Sequence, residues 1–241
     1  MLTVNPAVCQ CMEPGPFRRK AVPAVNDIEL ASLIASKVCH DVINPVGAIS
    51  NGIEILESES DSGMREHAIA LIANSAKQAA AKLKLCRLAY GSMGSAGDHF
   101  SLGEAREALE GYLRDSKTKL DWRAPAMIVP KDTAKLALNL AMATLETIPR
   151  GGVLTVSAEE TATGLVLTTS SEGPSPRLND EVRTALTGAM PFSELNGRYV
   201  QPYLTGLIAR GLGCAVALEE RAGGFALSAE VPRRDPAAVA A

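Results

Sequence analysis

Cys39-His40-Asp41-Val42-Ile43-Asn44-Pro45 sets one histidine on the polar side of an amphipathic helix. Around it Val38, Val42, Val46, Ile49, Ile53 and Leu56 recur at steps of three and four, the spacing of a buried helical stripe. At about 100° per residue, His40 lies roughly 200° from both Val38 and Val42, opposite that stripe. Asn44 follows one turn later, and Asp41 is the immediate neighbour. An exposed imidazole beside a carboxylate, with a carboxamide one turn on, is a candidate nucleophile.

The periodicity extends this helix from about Asp27 to Glu57, with Asn26 or Asp27 as N-cap candidates. Pro45 removes one ladder hydrogen bond and predicts a kink a turn beyond His40. Ser58-Glu59-Ser60-Asp61-Ser62-Gly63 reads as a turn. A second helix is expected from Met64 to Tyr90, with Ala68, Ile72, Ser75, Ala79, Leu83, Cys86 and Tyr90 on one face. Two long helices joined by a short turn make an antiparallel hairpin. Such a hairpin cannot bury two apolar stripes alone, so a homodimer with a four-helix bundle is expected.

Beyond a small Gly/Ser-rich hinge at 91–98 the character changes. Ser101-x-x-Glu104 is a capping box opening a helix to about Arg114. Leu120–Arg123 is a short strand candidate and Pro130–Ile148 an apolar helix. Gly151-Gly152 turns into a strand at Val153–Ala158, followed by another at Leu165–Thr169. Helices near Asp180–Leu186 and Tyr199–Arg210, and strands around Cys214–Glu219 and Gly224–Val231, complete the chain. Helices on one face of a mixed or antiparallel sheet form an α+β layout. The expected organisation is a flexible leader at 1–25, a helical hairpin for dimerisation at 26–92, an α+β domain at 99–234 and a tail at 235–241.

Composition bounds the function. The 241 residues are 46% hydrophobic, ample for a core, and the formal net charge of -3 argues against a dedicated nucleic-acid binder. No apolar run is long enough to span a bilayer, so no membrane partner is expected. Arg18, Arg19 and Lys20 lack an accompanying apolar region, so secretion is not expected. The five cysteines, Cys9, Cys11, Cys39, Cys86 and Cys214, fit reduced cytoplasmic thiols better than a disulfide framework. Cys9-x-Cys11 has no second ligand pair, and neither His67 nor His99 has a partner at zinc spacing, so no metal site is expected.

His40-Asp41-x-x-Asn44-Pro45, early in a helical hairpin, resembles the H-box of two-component histidine kinases: His, acidic, two variable residues, Thr or Asn, then Pro. The downstream half is similar in layout to their ATP-binding domain. Leu138-Asn139-Leu140, leading through Pro149-Arg150-Gly151-Gly152-Val153 into a strand, resembles the N-box helix and its exit. The resemblance covers about residues 26–232, specific at the H-box and architectural beyond it.

The departures from the kinase pattern are informative. The family's magnesium-binding asparagine falls at Ala143, whose methyl group offers no oxygen to a hard cation. The adenine-binding Asp-x-Gly-x-Gly is replaced by Ser171-Glu172-Gly173-Pro174-Ser175, and the glycine-rich lid by Arg198-Tyr199-Val200-Gln201-Pro202. No Walker-type loop substitutes for them. A kinase-like hairpin joined to an ATPase-like domain without its ligands resembles the ChpT-type histidine phosphotransferases of alphaproteobacterial phosphorelays.

That resemblance implies a phosphorelay role. His40 would accept a phosphoryl group from the receiver domain of a CckA-like hybrid kinase and pass it to CtrA-like and CpdR-like response regulators. Nε2 of His40 would be the nucleophile, with Asp41 on the other ring nitrogen. Magnesium would come from the receiver, and the chain would have no cofactor of its own. Asn44 is either a water-orienting group, as in related kinases, or a polar surface residue. Lys37, on the side of His40, could meet an acidic receiver surface or be simply solvated. Cys39, three residues before Val42, is expected as a small apolar packing residue. Trp122 is expected in the core, while Tyr199 and Tyr203 could be core or contact residues. The competing functions are a receiver phosphatase dependent on Asn44, a non-catalytic scaffold or kinase inhibitor, and an atypical active kinase.

Overall fold

The structure is a computed structural model, and it describes residues 25–91 and 97–233. The leader, most of the 91–98 hinge, the tail, Cys9 and Cys11 lie outside the described residues.

Helix α1 (Val25–Ser58) and helix α2 (Ser62–Tyr90) form the expected hairpin. Asn26 and Asp27 fall inside the first turn of α1 rather than at its cap, and the helix continues through Pro45. In the turn, Asp61 caps α2 by accepting from the Met64 amide at 2.9 Å, which satisfies one of the free amides of the first turn. Arg65 donates to the carbonyls of Leu56 and Glu59 and ties the end of α1 to the start of α2.

The face that α1 turns to α2 overlaps the expected stripe and is centred to one side of it. Pro45 and Gly52 are buried, and Val38, Asp41, Val42, Ala48, Ile49, Ile55 and Leu56 are half-buried. Val46 and Ile53 remain 47% and 45% exposed. The cause is the small-residue surface of α2, where Ala68, Ser75 and Ala79 are buried. Close approach selects the narrow side of α1, and a Cβ on Gly52 would lie 2.6 Å from Cγ1 of Ile72. Leu83, expected on the packed face of α2, is also 48% exposed. Near its C-terminus α2 turns Leu85, Leu88 and Ala89 to other helices instead.

The rest is an α+β layer. Strand β1 (His99–Ser101) pairs antiparallel with β3 (Ile128–Pro130), a small ribbon that sequence periodicity does not reveal. Helix α3 (Leu102–Leu113) starts at Ser101, whose hydroxyl accepts from the Gly103 amide at 3.1 Å. The main sheet has the order β2-β4-β5-β7-β6, formed by β2 (Thr118–Trp122), β4 (Gly152–Glu160), β5 (Gly164–Glu172), β6 (Ala217–Arg221) and β7 (Gly224–Pro232). Only β2–β4 is parallel, so the sheet is mixed. Gly152 opens β4 with φ 149°, and a Cβ there would sit 2.0 Å from the Glu172 carbonyl oxygen. Glu219, Glu220 and Arg221 on edge strand β6 discourage further pairing.

Helix α4 (Lys131–Leu145) covers β4, β5 and β7, and α6 (Val200–Gly211) lies on α4 beside α5 (Asp180–Thr187). Leu154, Val156, Leu167, Leu227 and Ala229 face these helices from the sheet. Trp122 packs partly against this core, its indole N–H donating to the Ala124 carbonyl at 3.0 Å. Tyr199 also packs against it, and Tyr203 meets Phe192 edge-on at 6.3 Å. Cys214 precedes its expected strand and closes α6, its thiol donating to the Ala209 carbonyl at 3.3 Å.

Candidate functional site

His40 is on the outside of α1 with its side chain 80% exposed. Its Nδ1 lies 3.4 Å from Oδ1 of Asp41, a long contact that favours the tautomer with the proton on Nδ1. Nε2 is then the ring nitrogen with the free lone pair. Asp41 is 25% exposed and is held by Lys37, whose Nζ sits 3.2 Å from Oδ2. A pair of this kind contributes about 0.5 kcal/mol. That is too little to matter for stability, so its effect is to aim the carboxylate. Lys37 is half-buried and engaged with Asp41, and it lines the same cleft as His40.

Pro45 sits a turn later and is buried against α2. Asn44 is exposed on α1 and does not line the cleft beside His40. Cys39 is exposed, not a packing residue as expected. The rotation of the α1 contact face toward Asp41 and Pro45 leaves position 39 outside.

His40 opens onto a cleft of about 530 Å³ between α1 and the α+β layer. The far wall carries Glu146, Arg177, Asn179 and Arg198. Arg198 also lies over the Tyr199 ring, 5.9 Å from its centroid. Glu146 keeps solvent-accessible surface, yet the protein packed around it raises its carboxyl above the usual range. Lys37 pulls it back, Asp41 adds to the rise, and Arg198 lowers it again. Behind Asp41, burial raises the Cys86 thiol and the Tyr90 and Tyr112 hydroxyls, with the Asp41 charge contributing to each. Sequence periodicity placed His40 and Asp41 on α1 but gave no sign that Glu146, Arg177 or Arg198 would face them across a cleft. These come from loops and helix ends more than a hundred residues away, and only tertiary folding brings them to the imidazole.

The positions that resemble the kinase nucleotide motifs are engaged in packing. Asn139 is fully buried, and its Nδ2 donates to the carbonyls of Ala89 and Lys135, each at 2.9 Å. Ala143 is buried. The Ser171 hydroxyl meets Thr147 Oγ1 at 2.7 Å and accepts from the Phe225 amide at 3.2 Å. The stretch matching the lid begins α6, with Val200, Gln201 and Pro202 buried. Among the described residues, no group of three or more His, Cys, Asp or Glu could hold a metal ion. No helix among them is long and apolar enough to cross a membrane.

Residues 102–224 match the family model for the histidine phosphotransferase C-terminal domain. The protein phosphotransferase ChpT of Brucella abortus (strain 2308) is 36% identical over 203 residues, 84% of this chain and 96% of that protein. The chain belongs to the histidine phosphotransferase family. A bacterial phosphotransferase solved at 1.7 Å superimposes with a TM-score of 0.76 at 32% identity, covering 87% of this chain and 98% of the other. In this histidine phosphotransferase fold the hairpin carries the exposed imidazole, and the α+β layer supplies the opposite wall of the cleft.

Proposed function

We propose that the chain relays phosphoryl groups through His40, from the receiver domain of a hybrid histidine kinase to response regulators, without binding ATP. The observation that carries this reading is the exposed imidazole whose Nδ1 faces Asp41, on the hairpin of a chain in this family. The Nε2 lone pair attacks the phosphorus of an aspartyl phosphate. An N–P bond forms as the P–O bond to the receiver carboxylate breaks, and that carboxylate leaves as an anion. The proton on Nδ1 stays toward Asp41, which offsets the positive charge the phosphorylated ring acquires. Magnesium belongs to the receiver, which suits a reaction that depends on positioning and charge neutralisation. The donor is a CckA-like receiver and the acceptors are CtrA-like and CpdR-like regulators.

The ATP-free reading is supported by the commitments of Asn139, Ala143, Ser171 and Gln201 to internal packing. A homodimer is part of the same proposal. Of the ten large apolar residues left exposed among the described residues, eight are on the hairpin: Ile28, Ile43, Val46, Ile53, Met64, Ile69, Leu71 and Leu83. Apolar surface concentrated in this way marks an association face, and two hairpins side by side form a four-helix bundle.

The test mixes the full-length protein with a receiver labelled at its aspartate, beside a control with labelled ATP. Label should move from the receiver to this chain, not from ATP, and His40→Gln should abolish it. Label taken from ATP would restore a kinase. Free phosphate without labelled chain would indicate a phosphatase, and no transfer at all a scaffold.

A further inference from the structure

We propose that Lys82 is a positioning residue for the phosphoacceptor turn, supplying from α2 the hydrogen bond that Pro45 withholds from the carbonyl of Asp41. The inference rests on the phosphotransfer reading above. In an α-helix the carbonyl of residue 41 accepts from the amide of residue 45. Pro45 has no amide hydrogen, and a proline ring crowds the carbonyl four residues back. An acceptor left without its ladder partner needs another donor.

The Nζ of Lys82 lies 2.8 Å from the Asp41 carbonyl oxygen, across the hairpin. Lys82 makes no ion pair among the described residues, and its side chain is half-buried. Its ammonium is thus aimed at the backbone of α1 and not outward at a partner.

Asp41 is consequently held twice, at its main chain by Lys82 and at its carboxylate by Lys37. Among the described residues, the only hydrogen-bond partner of the His40 ring is Asp41. The orientation of the nucleophile is inherited from Asp41, and through it from Lys82. A proline in this turn frees a carbonyl, and the lysine on the facing helix converts that carbonyl into an anchor for the next residue up the chain.

The experiment measures transfer from a labelled receiver domain to the full-length protein, together with hydrogen exchange of the α1 segment around His40. Lys82→Met should lower the rate at saturating receiver by about tenfold, the scale of a small misplacement of a reacting group. The receiver concentration at half-maximal rate should stay unchanged, and exchange in the segment should quicken. Lys82→Arg, which keeps a donor on a long stem, should retain most of the rate. In a Pro45→Ala background, where an amide hydrogen is restored to Asp41, Lys82→Met should alter neither rate nor exchange.

An equal loss in both backgrounds would overturn the proposal, because the ammonium would then act on the partner or the phosphoryl group. So would an unchanged rate and exchange in Lys82→Met. If the wild-type chain takes no label, the phosphotransfer reading fails. The exchange comparison still decides separately whether Lys82 secures the turn.

Discussion

Gln201 donates from its Nε2 to both the carbonyl oxygen and the side-chain Oδ1 of Asn139, at 2.9 and 3.2 Å, in the buried contact between α6 and α4. Asn139 in turn donates to Ala89 at the end of α2. One carboxamide therefore joins the hairpin, α4 and α6. The asparagine that resembles a nucleotide-motif residue has become a structural junction.

Removing that carboxamide takes a donor from the Ala89 and Lys135 carbonyls, while Gln201 keeps the main-chain carbonyl of residue 139 and the Thr205 hydroxyl. Asn139→Ala should destabilise the fold by about 2 kcal/mol, the scale of unsatisfied buried polar groups. Denaturant melts check this, with transfer through His40 expected to persist below the transition. A variant as stable as wild type would show that the network contributes little.

Glu146 predicts a pH-dependent stability. The protein packed around it raises its carboxyl although the residue stays exposed, so its small, solvent-screened contribution is present below the unfolded value and is lost as pH rises through the folded one. Glu146→Gln should raise Tm relative to wild type at about pH 7 and lose that advantage near pH 3.5, below the ordinary glutamate range. An advantage of equal size at both pH values would assign the effect to packing instead.

Thiol accessibility separates the cysteines. Cys39 is exposed, whereas burial raises the thiols of Cys86 and Cys214. Peptide-level alkylation of the native protein should label Cys39 at least about tenfold faster than Cys86, since the exposed thiolate is the reactive form. Comparable rates would contradict the rotated face of α1.

The exposed apolar face of the hairpin predicts a self-association that charge can break. Val46→Glu with Ile53→Glu should shift sedimentation from a dimer to a monomer. Wild-type chain sedimenting as a monomer throughout would remove the homodimer from the proposal.

The long elements were legible because their signals are local. The period around Val38–Leu56 and the apolar run of α4 give helices, and the Gly151-Gly152 pair gives the entry to β4. His40 and Asp41 were legible from adjacent positions on one helix. The exposure of Cys39 was not, because the packed side of α1 is chosen by the small residues of α2. β1 and β3, three residues each, are too short to carry a period. Arg177, Arg198 and Lys82 reach the surroundings of His40 and Asp41 only through tertiary folding.

Leu85, Leu88 and Ala89, at the end of α2, belong to the same buried cluster as Leu102, Leu109 and Leu136 of the following layer. A fully buried leucine contributes about 1.5–3 kcal/mol, so the last turns of the hairpin are stabilised by packing on the α+β layer. The chain should melt in one calorimetric transition, and a fragment ending after α2 should fray from its C-terminus back toward Lys82. Loosening in the α+β layer would then reach the imidazole as a loss of cooperativity.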